Sequence, residues 1–218
     1  MSGSDKIIIL ISALAVLLAG FWVYKMLSQP LNQPDSNLPP IDLMEEPIQS
    51  DAQGTALPIT NRGKLMYIFT AKASYRIAGM IVSKQRYHKG HMSKISPYDY
   101  ALVWGEVPQH MQHLKFEQVV RFCLMRHDNT LPLTLEYLYT HMSNNHLIPA
   151  NKNISKALSL GRKGDQVVLD GYLVNVVLGK KGRTIGVWNT SLDRTDKGSG
   201  ACEIIYLTRL RINDRVFE

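Results

Sequence analysis

The chain has 218 residues, 45% of them hydrophobic and 20% charged, with 25 Lys and Arg against 18 Asp and Glu and a net charge of +7. That balance directs attention to anionic surfaces, and two cysteines allow at most one disulfide. No HExxH, Cys-x-x-Cys, Walker, EF-hand or Gly-x-Ser-x-Gly pattern is present, so no reaction class defined by those motifs is indicated.

Ile7–Tyr24 (IIILISALAVLLAGFWVY) is uncharged and apolar, and Met26 and Leu27 extend it past Lys25. A bilayer core of about 30 Å needs roughly 20 such residues as a helix, with Trp22 and Tyr24 at headgroup level. The bulky Phe21–Tyr24 end offers no small-x-small cleavage site, and Phe21 stands where a lipoprotein signal needs Cys. Residues 1–27 therefore read as an uncleaved anchor, with the bilayer as partner of residues 7–27. Lys6 precedes the span, and no Lys or Arg follows Lys25 until Arg62. A short N-terminus before a large domain favours N-in with the C-terminal domain outside, which in a bacterium is the periplasm.

Residues 28–61 hold six of the ten prolines and the acids Asp35, Asp42, Glu45, Glu46 and Asp51. Their apolar residues follow neither a helical nor a strand period, so the tract reads as an extended spacer, with a docking peptide at Pro39–Ile48 as the alternative. Residues 62–218 suffice for one domain, and they hold 23 of the Lys and Arg but 12 of the acids.

The expected fold class of that domain is α+β. Lys64–Lys72, Arg76–Lys84, Tyr98–Val107 and Val120–Arg126 are candidate strands. Pro132 to about Met142 is expected to be helical, capped from Asp128, Asn129 or Thr130, and Ile154–Leu160 forms a second helix capped by Asn151 or Asn153. Gln166–Leu178 and Arg183–Asn189 flank a turn at Gly179–Gly182, and Gly171 inside the first suggests a bend or bulge. Cys202–Ile212 alternates strictly. A small barrel of OB-like or nuclease-like kind accommodates short strands with two short helices.

Two stretches concentrate chemistry. His141, Ser143 and His146 lie within six residues and could supply a nucleophile and a base, though helix ends and loops use the same residue types. The charged loop Ser191–Glu203 could hold a divalent ion through its carboxylates Asp193, Asp196 and Glu203, or a phosphate through Arg194 and backbone N–H groups, and Arg194, Lys197 and Asp193 are its candidate binding residues. His88-x-x-His91 and His110-x-x-His113 have metal-compatible spacing without supporting cysteines, so neither a metal nor a cofactor is expected. Cys123 and Cys202 could form a disulfide in an oxidising compartment, or pack as small hydrophobes.

The segments SNNHLIPANKNISKALSLGRKGDQVVLDGYLVNV and WNTSLDRTDKGSGACEIIYL resemble a family of single-pass bacterial membrane proteins of unassigned activity. The resemblance implies an envelope setting and marks His146, Asp196, Cys202 and Glu203, but it carries no reaction. Three functions follow as expectations. The first is a scaffold or accessory envelope component that binds another envelope protein, as in a secretion machine. The second is a nuclease-like hydrolase, which requires the 141–146 and 193–203 stretches to meet. The third is a nucleic-acid-binding module using Tyr98, Tyr100, Trp104 and Trp188 as a stacking platform.

Overall fold

The computed structural model describes residues 3–33, 37–193 and 202–218, with side chains from Ile9 onward except Ser12. Arg194, Asp196 and Lys197 lie outside the described residues. The chain divides into two units, Met1–Leu31 and Asn32–Glu218.

The first unit is one helix, α1 (Gly3–Ser28). Its stretch Ile9–Ser28 has a mean hydropathy of 2.0 and no buried residue, and 20 residues of helix measure about 30 Å. Leu10, Val16, Leu17, Trp22 and Tyr24 are all exposed, so the helix is apolar around its circumference. That helix is long and apolar enough to cross a bilayer.

The second unit is α+β with a mixed sheet. In chain order it contains β1 (Ile48–Asp51), β2 (Thr60–Arg62), β3 (Leu65–Arg86), β4 (Tyr98–Val103), β5 (Leu114–Val119), β6 (Phe122–His127), α2 (Leu135–Thr140), β7 (Met142–Pro149), α3 (Lys152–Ala157), β8 (Gln166–Lys180), β9 (Arg183–Trp188), β10 (Glu203–Ile212) and β11 (Arg215–Phe217). Short 3₁₀ turns occupy Met92–Lys94 and Val107–His113. β3 pairs with β4, β4 with β7, β7 with β10, β10 with β8, and β8 again with β3, so the pairings return to their starting strand. Among the described residues only the β7–β10 pair is parallel.

The strand β3 spans both expected strands, 64–72 and 76–84, because a bulge absorbs the break between them. The register against β8 slips between Ala71 and Ala73. Before the slip, Leu65, Tyr67 and Phe69 pack with Val174, Val176 and Leu178; after it, Tyr75, Ile77 and Ile81 pack with Leu169 and Leu173. One extra residue thus moves the buried face of the pair from one core to another. The bend expected at Gly171 is present as a close approach: a Cβ there would strike the Tyr206 carbonyl, and β10 slips register opposite it between Leu207 and Arg209. α3 is capped by Asn151, whose side chain accepts the Ile154 N–H, and it buries Ile154 and Ala157 in the main core.

Three expectations are corrected. The expected helix from Pro132 to Met142 is only α2, capped by Thr134, and the polar stretch after it is β7 rather than a loop. Every odd residue of Ser143–Leu147 faces one core and every even residue the other, so buried amides replace the apolar alternation that marks a strand. Residues 37–61 do not stand apart from the domain. β1 pairs with β3, the Leu43 carbonyl accepts the Gly105 N–H at 2.7 Å, and the Pro39 carbonyl accepts the Arg211 guanidinium at 2.6 Å. Backbone carbonyls left without periodic structure are satisfied by the domain itself.

Candidate functional site

β4 and β7 run antiparallel with Asp99 opposite His146, which puts both side chains on one face. Asp99 Oδ2 lies 2.9 Å from His146 Nδ1, and both residues are buried. The β5–β6 hairpin crosses this face and delivers Arg121 from its tip. The Arg121 Nη1 donates to Asp99 Oδ1 at 2.9 Å and to Ser96 Oγ at 3.4 Å, and Nη2 donates to the Ser96 carbonyl at 2.8 Å. The guanidinium carbon sits 4.0 Å from the Tyr87 ring centre and 5.4 Å from that of Trp188, and the Trp188 ring is 4.6 Å from the His146 ring. A buried carboxylate is thereby neutralised by a cation and hydrogen-bonded by a fork donor. Burial, then the Asp99 charge, push the Tyr87 phenol far above its usual range, so it stays protonated.

The hairpin is fastened at a second point. Asn144 Nδ2 donates to the Arg121 carbonyl at 2.8 Å, and Asn144 Oδ1 accepts Gln118 Nε2 at 2.9 Å. Its turn is costly: Val120 and Arg121 adopt φ of 44° and 64°. A β-branched residue in the left-handed region is an outlier that surrounding contacts must hold. Val120 is 83% exposed, and Val119, Phe122 and Leu124 beside it are also exposed.

Over Arg121 lies a cleft of about 390 Å³, lined by Lys89, His91, Met92, Arg121, Val187 and Trp188. Among the described residues no carboxylate lines it. The wall comes from the 87–97 segment, whose fold is set by the Tyr67 hydroxyl donating to the His91 carbonyl at 2.6 Å and by Ser96 N–H donating to the Met92 carbonyl. The opposite wall is β9. A second depression of about 370 Å³ includes Arg62, Lys94, Lys152, Phe69 and Tyr206.

The expected site residues divide between faces. His146, Asn144 and Cys202 share the outer face, where Cys202 Sγ lies 3.7 Å from Asn144 Nδ2 and 3.9 Å from the Arg121 carbonyl. Ser143 is buried on the opposite face, where its hydroxyl accepts Asn145 Nδ2 at 2.8 Å. Glu203 is buried and opposite Asn145 in register, so it shares that inner face. Ser143 and His146 therefore form no nucleophile–base pair, although the 141–146 and 202–203 stretches do meet as neighbouring strands. His141 ends α2, stacks 3.8 Å from Tyr137 and binds Glu46 at 3.0 Å, fastening the N-terminal segment. Asp193 is exposed, with its N–H on Ser191 Oγ at 3.0 Å. Cys123 and Cys202 are both free thiols, packed beside β-strand neighbours rather than bonded to each other. Tyr98, Tyr100 and Trp104 are buried core residues and provide no platform.

Sequence reasoning missed Asp99, Arg121, Ser96 and Tyr87. They are spread over three segments, and no spacing rule connects them. Comparisons of the chain with protein-family models, with curated proteins and with solved structures find no match.

Proposed function

We propose that this chain is a bacterial inner-membrane protein, N-in, whose periplasmic domain binds another envelope protein as an accessory component of a larger assembly. The apolar α1 supports the anchoring, and the resemblance at residues 143–176 and 188–207 supports the envelope setting. The domain reads as OB-like. What supports that reading is the ring order first, second, third, fifth, fourth, with third and fifth parallel and a short helix between third and fourth. In such barrels the loops after the first and fourth strands flank the ligand. On the OB-like reading, the 87–97 segment and β9 take those two positions.

The observation that carries the reading is the hairpin tip. A strained turn exposes Val119, Val120, Phe122 and Leu124 beside a basic cleft, and Ile185 and Val187 of β9 are exposed as well. Apolar exposure rimmed by charge is the composition of a protein interface. A photocrosslinking residue at position 120 in the full chain, in native membranes, tests this. One discrete protein adduct is expected, lost in Phe122→Asp; adducts only to lipid, or none, overturn the reading.

A hydrolase is the second reading, favoured only by the approach of Asp99 Oδ2 to His146 Nδ1 at 2.9 Å; the two atoms lack hydrogen-bond geometry, so general-base work needs the ring to turn toward the carboxylate. It requires His146→Gln to abolish turnover of an anionic ester while leaving the fold intact.

A further inference from the structure

We infer that the cleft between the 87–97 segment and β9 receives a peptide carboxylate whose neighbouring apolar side chain packs against Trp188. This rests on the reading that the domain binds a protein, and it names the chemistry of the contact.

Arg121 is the centre of the argument. Its contacts to Asp99 and Ser96 use three of the five guanidinium N–H donors, and among the described residues one Nη2 hydrogen and the Nε hydrogen remain. The Asp99 and Ser96 contacts and two aromatic rings hold the group still, so a ligand meets a cation already ordered. Asp99 lies beneath the guanidinium and is buried, away from any ligand. Lys89 and His91 lie on the adjoining wall and are exposed. An oxyanion is the ligand group that this set of donors fits.

Around that polar floor the walls are Met92, Val187 and the half-buried Trp188. The volume of about 390 Å³ falls in the range of small ligand sites, enough for a chain end or a side chain or two. A protein segment is favoured over a nucleic-acid strand because the rim is apolar: Val120 is 83% exposed and Val187 59%. Nucleic acid would leave that surface wet, and three of the four rings of a stacking platform, Tyr98, Tyr100 and Trp104, are buried, which leaves Trp188 alone at the cleft. Among the described residues β9 also ends the sheet path, so its outer edge can pair with an extended peptide lying along the cleft.

The carboxylate has two sources, a chain terminus or an Asp or Glu side chain. The full-length chain in detergent is panned against two random nonapeptide libraries, one with a free C-terminus and one tethered through it. Lys89→Glu/His91→Glu is the control, since both residues are exposed and reversal leaves the core untouched. The expected result is a pool rich in carboxylate next to aromatic or branched apolar residues, binding the control at least about tenfold more weakly, in keeping with the loss of a charge-assisted contact. Enrichment in the free-terminus library alone assigns the terminal carboxylate; enrichment in both assigns the side chain. Apolar peptides without carboxylate preference, bound equally by the control and lost in Phe122→Asp, overturn the carboxylate inference and leave the protein-binding reading standing. No enrichment from either library overturns both, as does binding of oligo-dT in place of peptide.

Discussion

Asp99 faces His146 across β4 and β7 at 2.9 Å and gives its other oxygen to Arg121, also at 2.9 Å. The carboxylate is fully buried, while Arg121 keeps 19% of its side-chain surface. One insertion in the ring, the segment between β4 and β7, thus neutralises a charge on the strand that precedes it. The hairpin is consequently part of the domain's stability as well as of its surface.

Removing the cation should be costly. Arg121→Met leaves Asp99 buried with His146 and the Tyr87 phenol as neighbours but no paired cation, and a loss of about 3–5 kcal/mol is expected from orphaning a buried charge. Urea unfolding of the detergent-solubilised chain measures it. The double variant Asp99→Asn/Arg121→Met should be more stable than Arg121→Met alone, because the unpaired charge is gone. A double variant no better than the single one would show that Arg121 acts through packing.

The strained turn gives a prediction of opposite sign. At φ of 44°, Val120 occupies a conformation that Asn adopts far more readily. Val120→Asn should raise stability by about 0.5–1 kcal/mol, seen as a higher melting temperature in calorimetry. If that residue is held in place for a partner, the same variant should weaken crosslinking through its neighbours.

Asp128 supplies a pH signature. The hydroxyl and N–H of Thr130 are its main partners, at 2.7 and 2.8 Å, with His113 at 3.1 Å, and they hold its carboxyl at about 2 rather than 3.8. The folded value is the lower one, so this contribution is present above about pH 4 and is lost as pH falls through about 2. Thr130→Val should move the midpoint upward in a carboxyl-carbon NMR titration. A midpoint that stays near 2 would assign the effect to the backbone N–H and His113.

Cys123 should be slow to react. Burial, with the neighbouring Cys202 adding to it, pushes its thiol up to about 12, so little thiolate is present at pH 8. Because the folded value is raised, the neutral thiol contributes stability below about pH 9, and that contribution is lost as pH rises toward 12. Alkylation with iodoacetamide at pH 8 should be slow in the native chain and fast in urea. Rapid native labelling of Cys123 would contradict this burial.

Much of the architecture was legible in local pattern. The apolar run at 7–24 makes α1 because nothing in it interrupts a helix and nothing in it needs water. β8, the 181–182 turn, β9 and β10 follow their alternation closely, since Val- and Ile-rich strands and Gly turns are local properties. The β5–β6 hairpin was half missed: Val120–Arg121 carries none of the Asn or Gly that marks such turns. β7 was missed because its buried residues include Ser143, Asn144, Asn145 and His146, and the last three meet Gln118, Arg121, Tyr100 and Asp99 from distant segments.

By itself the sequence determined an apolar N-terminal helix and a basic strand-rich domain, because side-chain hydropathy and period act over a few residues. Which strands close on one another, which of the polar residues share a face, and that Arg121 reaches Asp99 were decided only in three dimensions. The reason is electrostatic and steric: a buried carboxylate takes whichever cation the fold can bring to it, and no spacing along the chain records that choice.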